Sequence, residues 1–333
     1  MTRNEESAGK ASRWPGPVRL LVQLALTALL TWLIVSQVGV TLEEALSLEA
    51  ALPDPRPLPI AASTLLLLAC FALTARLWGW MVRELGGNDP GWFGSLRIVL
   101  TANLGRYIPG KVWQVAGLAL LSKRAGIPAT LATGAAVLTQ VFHLAGAAVV
   151  GMAVLGQLDG SGWGLRLGAP ALLLLIGCAS VPSLVRGGFR LAYRLAGLDP
   201  LTAPRPSPLF GPRWILLHTL VWLGYGVAFT FLVRGLGLEG SLVFLVVSFS
   251  AAYLMGYLAV FAPAGIGVRE GVLIALLRPS LGGAAVGVAV LARVWMTLVE
   301  LVPAGGFALW TIVRRGRPLE EDQRESTTGD REA

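Results

Sequence analysis

Tyr107-Ile108-Pro109-Gly110-Lys111 and Phe261-Ala262-Pro263-Ala264-Gly265-Ile266-Gly267-Val268-Arg269-Glu270 echo each other inside otherwise apolar sequence. Each runs aromatic, apolar, proline, glycine and then charge, and each precedes a helix-like apolar run. Proline removes a backbone donor and glycine relaxes the chain, so both interrupt a helix. At membrane depth a broken backbone survives only where protein buries it or where it lines a wet cavity. Two such breaks, one in each half of the chain, point to a transport site and leave room for an inverted repeat.

The sequence around the breaks supports a membrane setting. Of 333 residues, 55% are hydrophobic and only 14% charged, with a mean hydropathy of +0.68. That composition excludes a soluble globular domain and gives an all-α integral membrane protein. The net charge is +8 and the pI about 10.2. Such an excess marks cytoplasmic loops and anionic lipid contacts before it suggests nucleic acid, and no long Lys/Arg run or nucleic-acid motif is present. Cys70 and Cys178 lie in apolar runs and read as small buried hydrophobes. His143 and His218 are the only histidines and have no cysteine cluster beside them, so neither a metal site nor a cofactor is implied.

Apolar runs of spanning character cover 18–38, 58–81, 128–155, 167–185, 214–233, 241–262 and 284–313. With the short segment 263–278 they give about eight transmembrane helices. The expected organisation is a flexible tail over 1–17, one transmembrane domain over 18–313 and a second flexible tail over 314–333. Basic residues cluster at 83–124, 184–213 and 314–317, while 39–57 is acidic. By the positive-inside rule both termini are then cytoplasmic, in a multi-pass protein of the plasma membrane. The stretch 92–127 must start and end on the inside, so it is a re-entrant pair of half-helices or an amphipathic hairpin on the cytoplasmic face, and the apolar runs 98–104 and 112–121 favour the re-entrant pair. The second break is expected at the cytoplasmic end of the sixth span. Trp14, Trp32, Trp78, Trp80, Trp92, Trp163 and Trp214 sit near span ends and read as interface anchors.

The candidate binding residues are the charges and polar groups around the breaks. Arg106 and Lys111 flank the first, and Arg269 and Glu270 follow the second. Arg293 and Glu300 lie seven apart in the last span, on one helix face. Charges at this depth mark pathways or internal pairs, for example Glu270 or Glu300 neutralising Arg106 or Arg293. A half-helix beginning near Lys111 and another near Val268 would each offer a positive N-terminus with a cation beside it, suited to a phosphate or carboxylate. Asn103 and Gln114 are polar liners or inter-helix hydrogen-bond partners. His143 reads as a satisfied buried histidine before a proton relay.

Asn103-Leu-Gly-Arg106-Tyr-Ile-Pro109-Gly110-Lys111 and Pro263-Ala-Gly265-Ile-Gly267-Val-Arg269-Glu270 resemble the two signatures of the lysylphosphatidylglycerol synthase transmembrane (flippase-like) family. That family includes the membrane half of the bacterial multiple peptide resistance factor. The resemblance covers about residues 15–315. It implies movement of a lipid with a charged head group between leaflets, and it singles out Asn103, Arg106, Pro109, Gly110 and Lys111, with Pro263, Gly265, Gly267 and Glu270. Fewer than two dozen residues follow Val313, so the aminoacyl-transferase activity of the resistance factor is not expected.

Three functions fit these observations. The first is translocation of a phospholipid or polyprenyl-phosphate lipid, without enzymatic activity. The second is a membrane-embedded lipid-phosphate transferase, which needs a general base and usually a metal beside paired carboxylates. The third is a non-transporting partner of a lipid or glycan synthesis enzyme.

Overall fold

The computed structural model describes residues 54–107, 112–155, 181–195, 199–259 and 267–315, together with Gly177 and Gly197. The expected first span at 18–38, about two-thirds of the run 167–185, Cys178, and all residues before 54 and beyond 315 lie outside them. The helices, in order, are α1 (Pro57–Glu84), α2 (Gly91–Asn103), α3 (Val112–Arg124), α4 (Ala129–Leu155), α5 (Pro182–Leu195), α6 (Phe210–Gly235), α7 (Leu242–Leu258), α8 (Val268–Leu281) and α9 (Ala284–Arg315). Short 3-10 turns occupy Leu104–Tyr107 and Pro200–Thr202. The described residues contain helix and no strand.

Four of these helices, α1, α4, α6 and α9, are apolar over a stretch long enough to cross a bilayer. The core of the bundle contains Leu77, Met81, Ile98, Trp222, Phe229 and Phe249. Leu58, Val243, Val302 and Leu309 point outward and are more than three-fifths exposed, as lipid-facing side chains would be. Small residues let the helices approach closely. A Cβ on Gly146 of α4 would lie 2.6 Å from the backbone of His218 on α6.

The remaining helices of the bundle are shorter. α2 and α3 have 13 residues each, α7 has 17 and α8 has 14, against about 20 for one crossing. They are arranged as two helical hairpins. The first, α2–α3, leaves from the C-terminal end of α1, where Asp89 reaches back to Arg76. It returns to α4, whose Ala132 carbonyl accepts the indole N–H of Trp78 near that same end of α1. The stretch thus forms two helical arms that leave and return at one end of the bundle.

The second hairpin, α7–α8, starts from the opposite end. The amide of Arg56, just before α1, donates to Gly235 O at the close of α6. α7 then runs antiparallel to α6, setting Phe249 on Phe229 and Tyr253 on Trp222. α8 returns to the Gly282–Gly283 turn from which α9 begins. Here the structure departs from the sequence expectation. α7 stops at Leu258, short of the expected 262, and α8 begins opposite residues 293–296 of α9. That is about 15 Å along α9 at 1.5 Å per residue, within the bundle and not at its end.

Two of the expected tryptophan anchors are core residues instead. Trp78 and Trp214 are buried, whereas Trp92 is half-exposed as an anchor should be. Cys70 is buried, as expected.

Candidate functional site

Arg293, Met296 and Glu300 stand at spacings of three and four on α9, which puts them on one face. Each touches a different side chain from the two hairpins. At the lower position, Glu300 Oε1 accepts a 2.9 Å hydrogen bond from Asn103 Nδ2 at the end of α2. Asn103 Oδ1 in turn accepts from Gln114 Nε2 of α3 at 2.8 Å. This relay of neutral amides ties both arms of the first hairpin to a carboxylate that is only 4% exposed.

Charges make the contacts at the upper position. Arg293 Nη1 donates to Glu270 Oε1 at 3.4 Å, in a pair 13% and 16% exposed. The other carboxylate oxygen, Oε2, accepts the N–H of Gly267 at 2.8 Å. Gly267 opens α8 with φ 79°, a left-handed conformation natural to glycine. Glu270 therefore sits at the positive end of α8 as well as on Arg293. Between these positions, the Arg269 guanidinium is buried over the rings of Phe249 and Tyr253 at 5.1 and 5.2 Å, and its Nη2 lies 2.7 Å from Met296 Sδ. Arg293 and Glu300 are seven residues apart, so the two contact points are separated by about 10 Å along α9.

Each hairpin is closed by a glycine lying against its returning arm. A Cβ on Gly105 would lie 2.5 Å from Gln114 N, and one on Gly256 would lie 2.8 Å from Arg269 Cβ. Any larger residue would push Gln114 or Arg269 away from α9.

Of the candidates from sequence, Asn103, Gln114, Gly267, Arg269, Glu270, Arg293 and Glu300 thus gather along one helix face. Arg106 falls in the 3-10 turn Leu104–Tyr107. Its side chain, and Pro109, Gly110, Lys111, Pro263 and Gly265, lie outside the described residues. The two half-helix starts are observed at Val112 and Val268. Of the alternative internal pairs, Glu270 with Arg293 is present among the described residues, and those with Arg106 lie outside them.

Sequence reasoning missed Met296, Phe249 and Tyr253 around Arg269. It also missed a clasp at the base of the first hairpin. Arg76 makes a bidentate pair with Asp89 at 2.5 and 2.6 Å and lies over the rings of Trp80 and Trp92. The hydrogen bond from Arg76 holds the Asp89 carboxyl below the usual carboxylate range, with further help from the Gly91 N–H and the charge of Arg83. A lone arginine inside an apolar run, with an aspartate thirteen residues on, was the available signal.

His143 is buried, with Nδ1 3.3 Å from His218 Nδ1. Two facing nitrogens require one donor and one acceptor, so one ring donates to the other, while His218 Nε2 is buried without a partner among the described residues.

A family model described as the lysylphosphatidylglycerol synthase TM region matches residues 20–304. No curated protein and no solved structure matches the chain.

Proposed function

The chain belongs to the lysylphosphatidylglycerol synthase transmembrane-region family, and from that premise we propose that it is a flippase-like protein without enzymatic activity. Its substrate is a lipid with a phosphate-containing head group, moved between leaflets of the plasma membrane. Both termini face the cytoplasm in this reading, so the first hairpin enters from the cytoplasmic side and the second from outside. The observation that carries the proposal is the meeting of two oppositely entering hairpins on one polar face of α9.

Glu270 plays the part of a resident anion. It holds Arg293 and the first turn of α8, the two groups that a lipid phosphate would seek. A phosphate arriving at this point takes over Arg293 and the N–H groups at the α8 start, and Glu270 swings away with its charge compensated elsewhere. The exchange keeps one negative charge on Arg293 throughout, which avoids the large cost of a bare buried cation. The amide relay at Asn103 holds the opposite hairpin still while this occurs. Arg106 and Lys111, which flank the first break, supply further positive charge to the head group. A phospholipid and a polyprenyl-phosphate lipid share the chemistry this site recognises, and a lipid or glycan synthesis enzyme is the natural neighbour for either.

The test is the transbilayer movement of fluorescent phospholipid and polyprenyl phosphate in proteoliposomes. Lys111→Ala, Arg106→Ala and Arg293→Gln should each slow the transported lipid by roughly tenfold or more, one tenfold step being about 1.4 kcal/mol. Parent-like rates in folded variants would overturn the assignment.

A further inference from the structure

We propose that α5 is an in-plane membrane-surface helix whose arginine stripe holds the head groups of anionic phospholipids, a lipid contact separate from the transport site. The helix divides into three faces. Phe189 and Tyr193, four apart, are buried and fasten it to the bundle. The Phe189 ring packs edge-on against Phe210 at 4.9 Å, and the Tyr193 hydroxyl donates to Leu85 O at 2.6 Å. Leu184 and Leu191 form a second face and are each 54% exposed. Arg186, Arg190 and Arg194 form a third, also exposed, with one arginine per turn. At 100° per residue the leucine and arginine faces stand roughly 110° apart.

That division fits a helix lying flat at a bilayer surface. The leucines reach the acyl boundary and the arginines reach the phosphate layer. The anchoring contacts fix α5 beside the C-terminal end of α1 and the start of α6, where α2 and α4 also begin. Lys123, Arg124 and Arg205 are exposed at this end too. The carboxylates described here are engaged: Glu84 by Arg213, Asp89 by Arg76, and Asp199 by the Leu201 amide. The surface around α5 is therefore basic and complements an anionic leaflet. An arginine near such a leaflet contributes about 1 kcal/mol, or about fivefold in binding, and the effect fades beyond a Debye length.

The test uses the full chain in nanodiscs of phosphatidylcholine, alone or with phosphatidylglycerol, and reads hydrogen exchange over residues 182–195. Phosphatidylglycerol should slow exchange there by about fivefold or more, and high salt should abolish most of the difference. R186Q/R190Q/R194Q should lose the response, while R278Q at the other end of the bundle should keep it. Exchange that is equal in the two lipids, or a response lost equally in R278Q, would overturn the proposal. So would equal slowing by inorganic phosphate over phosphatidylcholine, which would assign the stripe to free anions. If the triple variant fails to fold, the lipid and salt responses of the parent still decide.

Discussion

The two hairpins reach the same face of α9 by different chemistry. The first is held by amides, Gln114 to Asn103 to Glu300. The second is held by an ion pair, Glu270 with Arg293, and by an arginine among aromatic rings. Amide contacts are directional and neutral, so they fix position. An ion pair can be taken over by another anion of suitable size. In the proposed transport cycle the first hairpin therefore positions and the second carries the exchangeable contact.

The largest expected effect comes from breaking the charged side of this comparison. Arg293→Ala leaves Glu270 partly buried with its cation removed, and should destabilise the protein by about 3 kcal/mol. Thermal unfolding in detergent reads this directly. Glu270→Gln with Arg293→Gln should recover most of that stability while leaving lipid translocation impaired. Recovery of translocation by the double variant would remove the ion pair from the transport step.

The first hairpin also carries a charge pair, but at its base. Asp89→Asn strands the buried Arg76 guanidinium between Trp80 and Trp92 and should cost about 2 kcal/mol. The Asp89 carboxyl titrates below its ordinary value in the folded protein. Its contribution is therefore complete above the unfolded carboxylate value of about 3.9, and it is lost as pH falls through the lower folded value. The parent should show this acid-side loss in pH-dependent unfolding, and Asp89→Asn should lack it.

Asn103→Leu tests the amide side. It removes the two bonds that join the arms of the first hairpin to α9, for about 1.5 kcal/mol. The expected sign of a positioning role is lower maximal translocation with little change in the lipid concentration needed for half-maximal rate. A large shift in that concentration would make Asn103 a lipid contact and blur the distinction. The smallest effect is expected away from both hairpins. His218→Phe deprives His143 of its facing nitrogen and should cost about 1 kcal/mol. The pH profile of translocation should stay unchanged, and an altered profile would turn the pair into a relay.

Much of this arrangement could be read from the chain because proline, glycine and charge are rare in apolar sequence. The half-helix starts at Val112 and Val268 follow from Pro109-Gly110 and from Gly265 and Gly267 in that way. The two arms of the first hairpin were readable as well, since Arg83 and Arg124 bracket an apolar stretch. The depth of the second break was not readable. An apolar run from Ser241 looks the same whether it crosses or turns back, and only the packing of Arg269 and Glu270 on α9 distinguishes the two. Trp78 and Trp214 misled for a related reason, because an indole near a helix end serves the lipid interface or the core equally well. Asn103 and Glu300 were each singled out, but 197 residues separate them and no periodicity links them.

The central claim is that Arg293 exchanges Glu270 for a lipid phosphate. The most direct measurement is the lipid retained on purification, read by native mass spectrometry in the R186Q/R190Q/R194Q background so that α5 does not contribute. A phosphate-containing lipid should remain bound in that background and disappear when Arg293→Gln is added. Undiminished occupancy after loss of Arg293, in a folded protein, would contradict the claim.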